Sequence, residues 1–450
     1  MVAEPCAVLP QDACKARGTG AKAAYGKAAR VSIIASDTTE PQSIPHPESA
    51  MNKNKIAVRR QLLPLALSTL ALSSVSSGAS ADIMLYDKDD TTFSTDGYFN
   101  AFYVNSDVDR NGETYDRRQS RVKMGFLPNY IGFNFGKKID GLTLTGRSSF
   151  WVTINDSEQD GTDTAIDVRQ FYGNVAGDWG EVLIGKDFGL FSRSNIFLDE
   201  LLAGFGNASD TLGLVDGKGV SFGNIGTGYP YPFPTSQITY RNNNLVEGLH
   251  IAVGIMDPID TNQIDKDASD GLDDKAYQDN PRYESEISYQ FDVGGAKIYS
   301  WVNGAYQTSK NTNDEVDSVT SKGLGYGIQA KMGGFSLTGS GFTAKGINPF
   351  FTNNAGEAAL REVDSRGVLL QGSYSWGKNR VALSTGETRD DGNGLGSAAD
   401  YSTQGIAYFR TINDNLKLVA EYNVYEIDGR KGSTVSEDTD TFAVGAVLNW

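Results

Sequence analysis

From residue 82 onward, apolar and polar positions alternate with a period of two. In the last ten residues Phe442, Val444, Ala446, Leu448 and Trp450 share one parity, with Thr441, Gly445 and Asn449 on the other. Tyr283, Ser285, Ile287, Tyr289 and Phe291 likewise oppose Glu284, Glu286, Ser288 and Gln290. Leu142, Leu144, Phe150, Val152 and Ile154 oppose Thr143, Thr145, Arg147 and Thr153. Alternation with charges confined to one parity predicts strands with one face against lipid or core and the other against water. Residues 296–307 and 401–410 alternate poorly.

These segments are separated alternately by tiny turns and long polar connections. The short turns fall at 140–141, 177–180, 243–247, 292–295, 333–334, 377–379 and 411–414, where Gly, Asn and Asp supply left-handed backbone or side-chain-to-backbone bonds. The long connections fall near 105–117, 156–167, 188–235, 257–282, 308–321, 346–363, 389–400 and 427–439. Seven short and eight long connections join sixteen strands, and short links at one rim with long ones at the other are the pattern of outer-membrane barrels. A bilayer forces closure, because an open strand edge leaves polar backbone groups in hydrocarbon. The expected fold is therefore all-β, a transmembrane antiparallel β-barrel of about sixteen strands. A soluble β-sandwich or adhesin repeat would alternate too, but without this loop rhythm.

The first 81 residues differ. Met51 opens a basic stretch ending at Arg59 and Arg60; an apolar run over 62–72 follows, and small residues end at Ala79-Ser80-Ala81. This reads as a secretory signal peptide over 51–81, with 1–50 an extension ahead of the true start and 82–450 the barrel. No other segment reaches eighteen apolar residues, which excludes an ordinary helical membrane protein.

The whole chain of 450 residues has a formal charge of −16. The nine Lys/Arg and five Asp/Glu before Asp82 leave 31 basic and 51 acidic residues, a net charge near −20. Such acidity argues against nucleic-acid partners and suits a molecule that faces cations. Both cysteines, Cys6 and Cys14, precede the signal, so a large core or a closed sheet stabilises the fold without disulfides.

The connection between Asp187 and Arg241 is far longer than its neighbours and has no helical period. A structureless link that long inside a compact domain is usually functional. The hairpin before it, Arg169-Gln-Phe-Tyr-Gly-Asn-Val-Ala-Gly-Asp-Trp-Gly-Glu-Val-Leu-Ile-Gly-Lys186, resembles the hairpin preceding the constriction loop of Gram-negative general porins. Ile238-Thr-Tyr-Arg-Asn-Asn-Asn-Leu-Val-Glu-Gly-Leu-His-Ile-Ala-Val253 resembles the one following it, and Ala443-Val-Gly-Ala-Val-Leu-Asn-Trp450 the closing strand, which in that family usually ends in Phe. The resemblance implies a trimeric, passive diffusion channel for small hydrophilic solutes and ions, in the outer membrane among lipid and lipopolysaccharide. It also implies a third loop folded inward, with acids facing basic residues on the wall.

The acids expected on the loop are Asp199, Glu200, Asp210 and Asp216. The expected wall bases are Arg241 and Arg121, Lys123, Arg147 and Lys186. Arg241 is lumenal by parity with Thr239; Arg121 and Lys123 share a face opposite Val122 and Met124. Lys186 has the parity of Ile184 and needs a bulge to turn inward. Opposed charges across a narrow gap order water and dipolar solutes, and an excess of one sign biases ion passage. The net acidity points to mild cation selectivity. A substrate-specific channel is the alternative, with Tyr229-Pro-Tyr-Pro-Phe-Pro234 offering aromatic surfaces to a ligand.

No catalytic, cofactor or metal motif stands out. The run from Asp107 to Gly112 matches half of a calcium loop, but Arg118 stands where a bidentate Glu is wanted, and the run from Asp265 to Asp274 places its Gly one residue late. After the signal there is one histidine, His250; a hydrolase built on it would need an oriented nucleophile beside it.

Overall fold

The computed structural model describes residues 82–112, 115–156, 166–258, 276–312, 318–352, 363–392 and 398–450. The extension and signal peptide expected over residues 1–81 and the acidic run from Asp265 to Asp274 lie outside the described residues. The strands are β1 (Ile83–Lys88), β2 (Thr91–Arg110), β3 (Tyr115–Lys123), β4 (Asn129–Ile139), β5 (Leu142–Val152), β6 (Asp167–Gly177), β7 (Gly180–Phe188), β8 (Pro234–Asn242), β9 (Leu249–Met256) and β10 (Ala276–Tyr277). They continue with β11 (Arg282–Val293), β12 (Ala296–Asn311), β13 (Val319–Met332), β14 (Phe335–Lys345), β15 (Asp364–Trp376), β16 (Asn379–Asp390), β17 (Ala399–Thr411), β18 (Leu416–Gly429) and β19 (Ser436–Asn449). One short helix, α1 (Arg193–Phe197), follows β7.

Apart from β3 with β4 and the short β10, each strand pairs antiparallel with its neighbour in sequence, and the ring closes where β19 pairs with β2 from Asn449↔Tyr98 to Glu437↔Arg110. β9 pairs directly with β11, which carries the ring past the two-residue β10. β3 and β4 are two halves of one stave: β2 pairs with β3 through Phe102↔Lys123 and with β4 through Tyr98↔Tyr130. With those halves counted together and the short β1 and β10 set aside, sixteen staves form a closed antiparallel barrel.

The break between β3 and β4 has a local cause. Pro128 lacks an N–H for the ladder, which confines proline to interruptions of this kind. Side chains take over the pairing there: Asn129 Oδ1 accepts from the Asn100 amide at 2.6 Å, and Asn100 Oδ1 accepts from the Gly125 amide at 2.6 Å. Met124, expected outward, is instead buried at the break.

All seven short turns fall at one rim, between the strand pairs the sequence predicts. At the other rim several strands run further than expected. Pairing of β2 with β3 continues to Arg110↔Tyr115, and that of β18 with β19 to Asp428↔Ser436. The ladder persists where alternation changes from apolar to charged, because water replaces lipid outside while the inner face remains packed. Asp107 and Asp109 therefore sit in β2, and Arg118 Nε donates to Asp107 at 2.8 Å.

The polarity of the two faces is inverted relative to a soluble barrel. Outward positions are large and apolar, such as Ile328 at 52 % exposure and Leu370 at 55 %. Inward positions include buried Asn303, Gln329, Gln371 and Asn423. Such a surface is stable only against hydrocarbon, where apolar atoms have no water to avoid. Ile328→Arg, in the middle of the apolar band, should lower folding stability in lipid vesicles by roughly 2–4 kcal/mol, read as a shifted denaturant midpoint of refolding.

Candidate functional site

The segment between β7 and β8, residues 189–233, supplies the longest described irregular stretch, and its backbone N–H groups need acceptors. Side chains of the barrel wall provide them in succession. Glu284 Oε2 accepts from the amides of Leu190 and Phe191 at 2.6 and 3.0 Å, Asn303 Oδ1 from Ser192 at 3.0 Å, and Glu286 Oε2 from Ser194 at 3.2 Å. Gln371 Oε1 accepts from Glu200 at 3.0 Å. The two oxygens of Glu421 take the amides of Phe205 and Gly206, each at 2.8 Å, and those of Glu437 take Asp210 and Thr211 at 2.7 and 2.8 Å. The donors thus visit β11, β12, β15, β18 and β19 before the chain turns back. There Lys123 Nζ donates to the Leu214 carbonyl and, at 3.1 Å, to that of Gly217, and Asn155 Nδ2 donates to Gly219 O at 2.8 Å.

This approach leaves no room for side chains at two glycines. A Cβ on Gly204 would stand 2.0 Å from Glu421 Oε2, and one on Gly386 of β16 would stand 2.0 Å from the Thr227 carbonyl. Between these contacts Phe205 is completely buried and packs on Phe102 of β2, ring centroids 5.9 Å apart.

The nine charged residues expected from sequence separate into several groups. Asp210 and Asp216 meet one arginine cluster: Arg117 bonds both, Arg110 reaches Asp210 at 3.0 Å, and Arg121 lies 3.8 Å from Asp216. Arg121 also donates to the Asp216 carbonyl at 2.5 Å and to that of Asp156. Lys123 adjoins this cluster through its carbonyl contacts and is almost wholly buried. Glu200 pairs instead with Arg380 of β16 at 2.8 Å and accepts from Ser336 and Ser373 at 2.5 and 3.0 Å.

Asp199 has no ion-pair partner among the described residues. Its carboxylate accepts from Tyr229 Oη at 2.5 Å, Gln371 Nε2 at 2.7 Å, and Asn224 Nδ2 and the Leu201 amide, both at 2.8 Å. Burial pushes this carboxyl above its ordinary range, opposed by the four hydrogen bonds.

Three basic residues do not meet the loop acids expected for them. Arg241 pairs with Asp187 at 3.2 Å and Glu181 at 3.3 Å; Asp187 also holds Arg193 at 3.3 Å. Arg147 pairs with Asp96 at 2.8 Å and donates to Asn134 and Gln170. Lys186 lies across from Phe171 and Ser236 with the register unbroken on both sides. No bulge turns it, and it retains the parity of Ile184, which is 54 % exposed.

The bulge is one strand away. Ser149 pairs with Gln170 and Phe150 with Val168, so Arg169 is the extra residue on β6. A bulge re-aims a side chain. Arg169 consequently lies over Trp151, 5.0 Å from the ring centroid, and donates to Tyr231 Oη at 2.9 Å and Asp167 at 2.8 Å.

Sequence reasoning also missed Arg110, Arg117, Arg193, Arg380, Glu421 and Glu437. Parity was a usable signal for two of them, since Arg380 shares a face with Ser384, and Glu421 with Asn423. Glu437 was hidden because its strand begins earlier than the apolar pattern does. His250 contacts Asn243 of the β8–β9 turn through Nδ1.

Comparison with known proteins agrees with this architecture. The chain is 23 % identical over 395 residues to a porin-like protein L of Photobacterium profundum, covering 86 % of this chain and 99 % of that one. Among solved structures, the outer-membrane channel DcaP of Acinetobacter baumannii superposes with a TM-score of 0.59 at 14 % identity, covering 82 % of this chain and all of that one. An anion-selective porin from Comamonas acidovorans superposes with a TM-score of 0.55 at 14 % identity, over 80 % of this chain and all of that one. At these identities the two structures speak for the fold. A family model for Gram-negative porins matches residues 66–430, so this chain belongs to the Gram-negative porin family and resides in the outer membrane.

Proposed function

We propose that residues 189–233 fold into the barrel and narrow a water-filled pathway through which small hydrophilic solutes and ions diffuse passively, with a mild preference for cations. The observation that carries this reading is the series of amide contacts from Leu190 to Thr211, which reaches inward-facing side chains on five strands. A segment bonded to separated arcs of a closed ring has to cross the space the ring encloses. The outer membrane lipid and lipopolysaccharide cover the apolar outer face in this reading, and three copies associate. Membership of the porin family favours a channel over an enzyme.

The cation preference rests on charge balance. Asp210, Asp216 and Glu200 are each offset by arginine, so they contribute little net field. Asp199, Glu286, Glu421 and Glu437 have no ion-pair partner among the described residues; against them stand Lys123 and the one arginine by which Arg110, Arg117 and Arg121 outnumber Asp210 and Asp216, which leaves these groups with an acidic excess. An excess of one sign along a narrow path attracts counter-ions and repels co-ions. In this reading Asp210, Asp216 and Glu200 are held in direct ion pairs, and selectivity follows from which charges remain unpaired.

Reversal potentials across a potassium chloride gradient in a planar bilayer test this directly. Cation selectivity is expected, with conductance appearing in groups of three equal steps; an anion-selective channel refutes the assignment. Glu200→Gln leaves Arg380 without its carboxylate and should move the reversal potential toward anions. If it does not move, Glu200 stands away from the conducting path. Glu421→Gln places an amide nitrogen against one of two backbone donors, a mismatch of about 1–3 kcal/mol. Hydrogen exchange of residues 200–212 should rise roughly tenfold or more while the barrel strands keep their protection.

A further inference from the structure

A cavity of about 130 Å³ lies between the loop and one arc of the wall, bounded by the β3–β4 break, the long-loop ends of β5 to β8, and Phe351. Its walls are mostly apolar, and the aromatic rings among them meet edge to face. Phe188 packs against Trp151, Phe197 and Tyr231 at 6.3, 5.4 and 6.0 Å, with interplanar angles of 82°, 88° and 84°. Tyr231 in turn meets Phe351 at 6.4 Å and 86°.

The volume limits what can enter. An apolar cavity of about 150 Å³ accommodates benzene, so this one holds a single ring and not a fused pair. The lining argues against a sugar, which needs a partner for each hydroxyl. Ser221, one of the few polar lining residues, already donates to the Phe205 carbonyl.

The remaining polar lining is Arg169, Lys186 and Asp167, a balance of one positive charge. The guanidinium of Arg169 is held beside Trp151 and Tyr231, at 5.0 and 5.9 Å from their centroids. Among the described residues its bonds are Nε to Asp167 and Nη1 to Tyr231, which leaves Nη2 to donate. A planar, fixed guanidinium recognises a carboxylate better than a point charge does. The β6 bulge, which breaks the barrel register, is what brings Arg169 to the cavity.

We propose that this cavity is a binding site for a one-ring aromatic acid, with the ring in the aromatic cage and the carboxylate on Arg169. The proposal concerns the packed space between loop and wall and not conduction, so its failure leaves the porin reading untouched.

Calorimetric titration of the purified full-length protein in detergent tests it, with sodium benzoate as the probe. Benzoate should bind saturably, one per chain, at least tenfold more tightly than acetate, benzyl alcohol, benzylammonium or 2-naphthoate. Arg169→Gln should abolish the preference for benzoate over benzyl alcohol. Val220→Phe, which fills the cavity from the loop side, should remove binding of both. Equal affinity for acetate would show a surface anion site and overturn the proposal. Tighter binding of 2-naphthoate, the order that micelle partition gives, would also overturn it. So would unchanged benzoate binding in Val220→Phe, and this variant decides the matter even if Arg169→Gln does not fold. Channel conductance in potassium chloride, measured on each variant, reports the integrity of the barrel independently.

Discussion

Closure of the hydrogen-bond ladder between β19 and β2 is the constraint on which everything else depends. It joins the last strand to the first barrel strand over thirteen residue pairs, from Asn449↔Tyr98 to Glu437↔Arg110. Without it, two strand edges would face hydrocarbon, each unpaired group costing several kcal/mol. With it, the wall has no edges and side chains sort by parity into lipid-facing and inward sets. The end of the chain is tied in as well: Trp450 exchanges two backbone bonds with Gly97, at 3.1 and 3.2 Å, and its ring packs on Phe99.

Closure creates the second problem that the fold solves. An irregular segment of this length beside a closed wall cannot borrow a ladder, so its amides depend on side chains. Carboxylates suit the role because each oxygen accepts an N–H at full charge and short distance. Glu421 and Glu437 each take two consecutive loop amides in this way, one per oxygen. The acidity of the sequence therefore has a structural component: part of it holds backbone.

Strand positions, turn positions and the rhythm of the rims were legible because lipid imposes a strict rule on outward residues. The inward face obeys no such rule, and there the reading failed where it did. The segment 401–410 alternates poorly because Tyr401 and Phe409 point inward, against Phe350 at 5.0 Å and Arg380 at 4.1 Å. Trp301 blurs 296–307 in the same way, buried with its Nε1 donating to Asn195 of the loop at 3.0 Å. In both cases an apolar inward residue answers to a distant segment, which no local pattern records. The pairing of charges was illegible for the same reason. Parity placed Arg241 and Arg147 on the inner face, but their partners Asp187 and Asp96 follow from register and from one another's reach.

The division of labour between wall and loop has a consequence for how such a chain can vary. The wall carboxylates bind backbone amides, which every residue but proline carries. A loop substitution therefore leaves these anchors in place when it spares the close contacts at Gly204 and Thr227 and the buried side chains, such as Leu201 and Phe205. The arginine–aspartate contacts are different in kind. Arg117 bonds the side chains of both Asp210 and Asp216, so altering either acid leaves a half-buried guanidinium with fewer acceptors. Removing one partner of a buried pair costs far more than the pair contributes. The loop is consequently least constrained at the partly exposed positions from 217 to 220, and most constrained where its side chains are buried or bonded to arginine. Replacement is thus confined to the first kind of position, while the second kind keeps the segment in place.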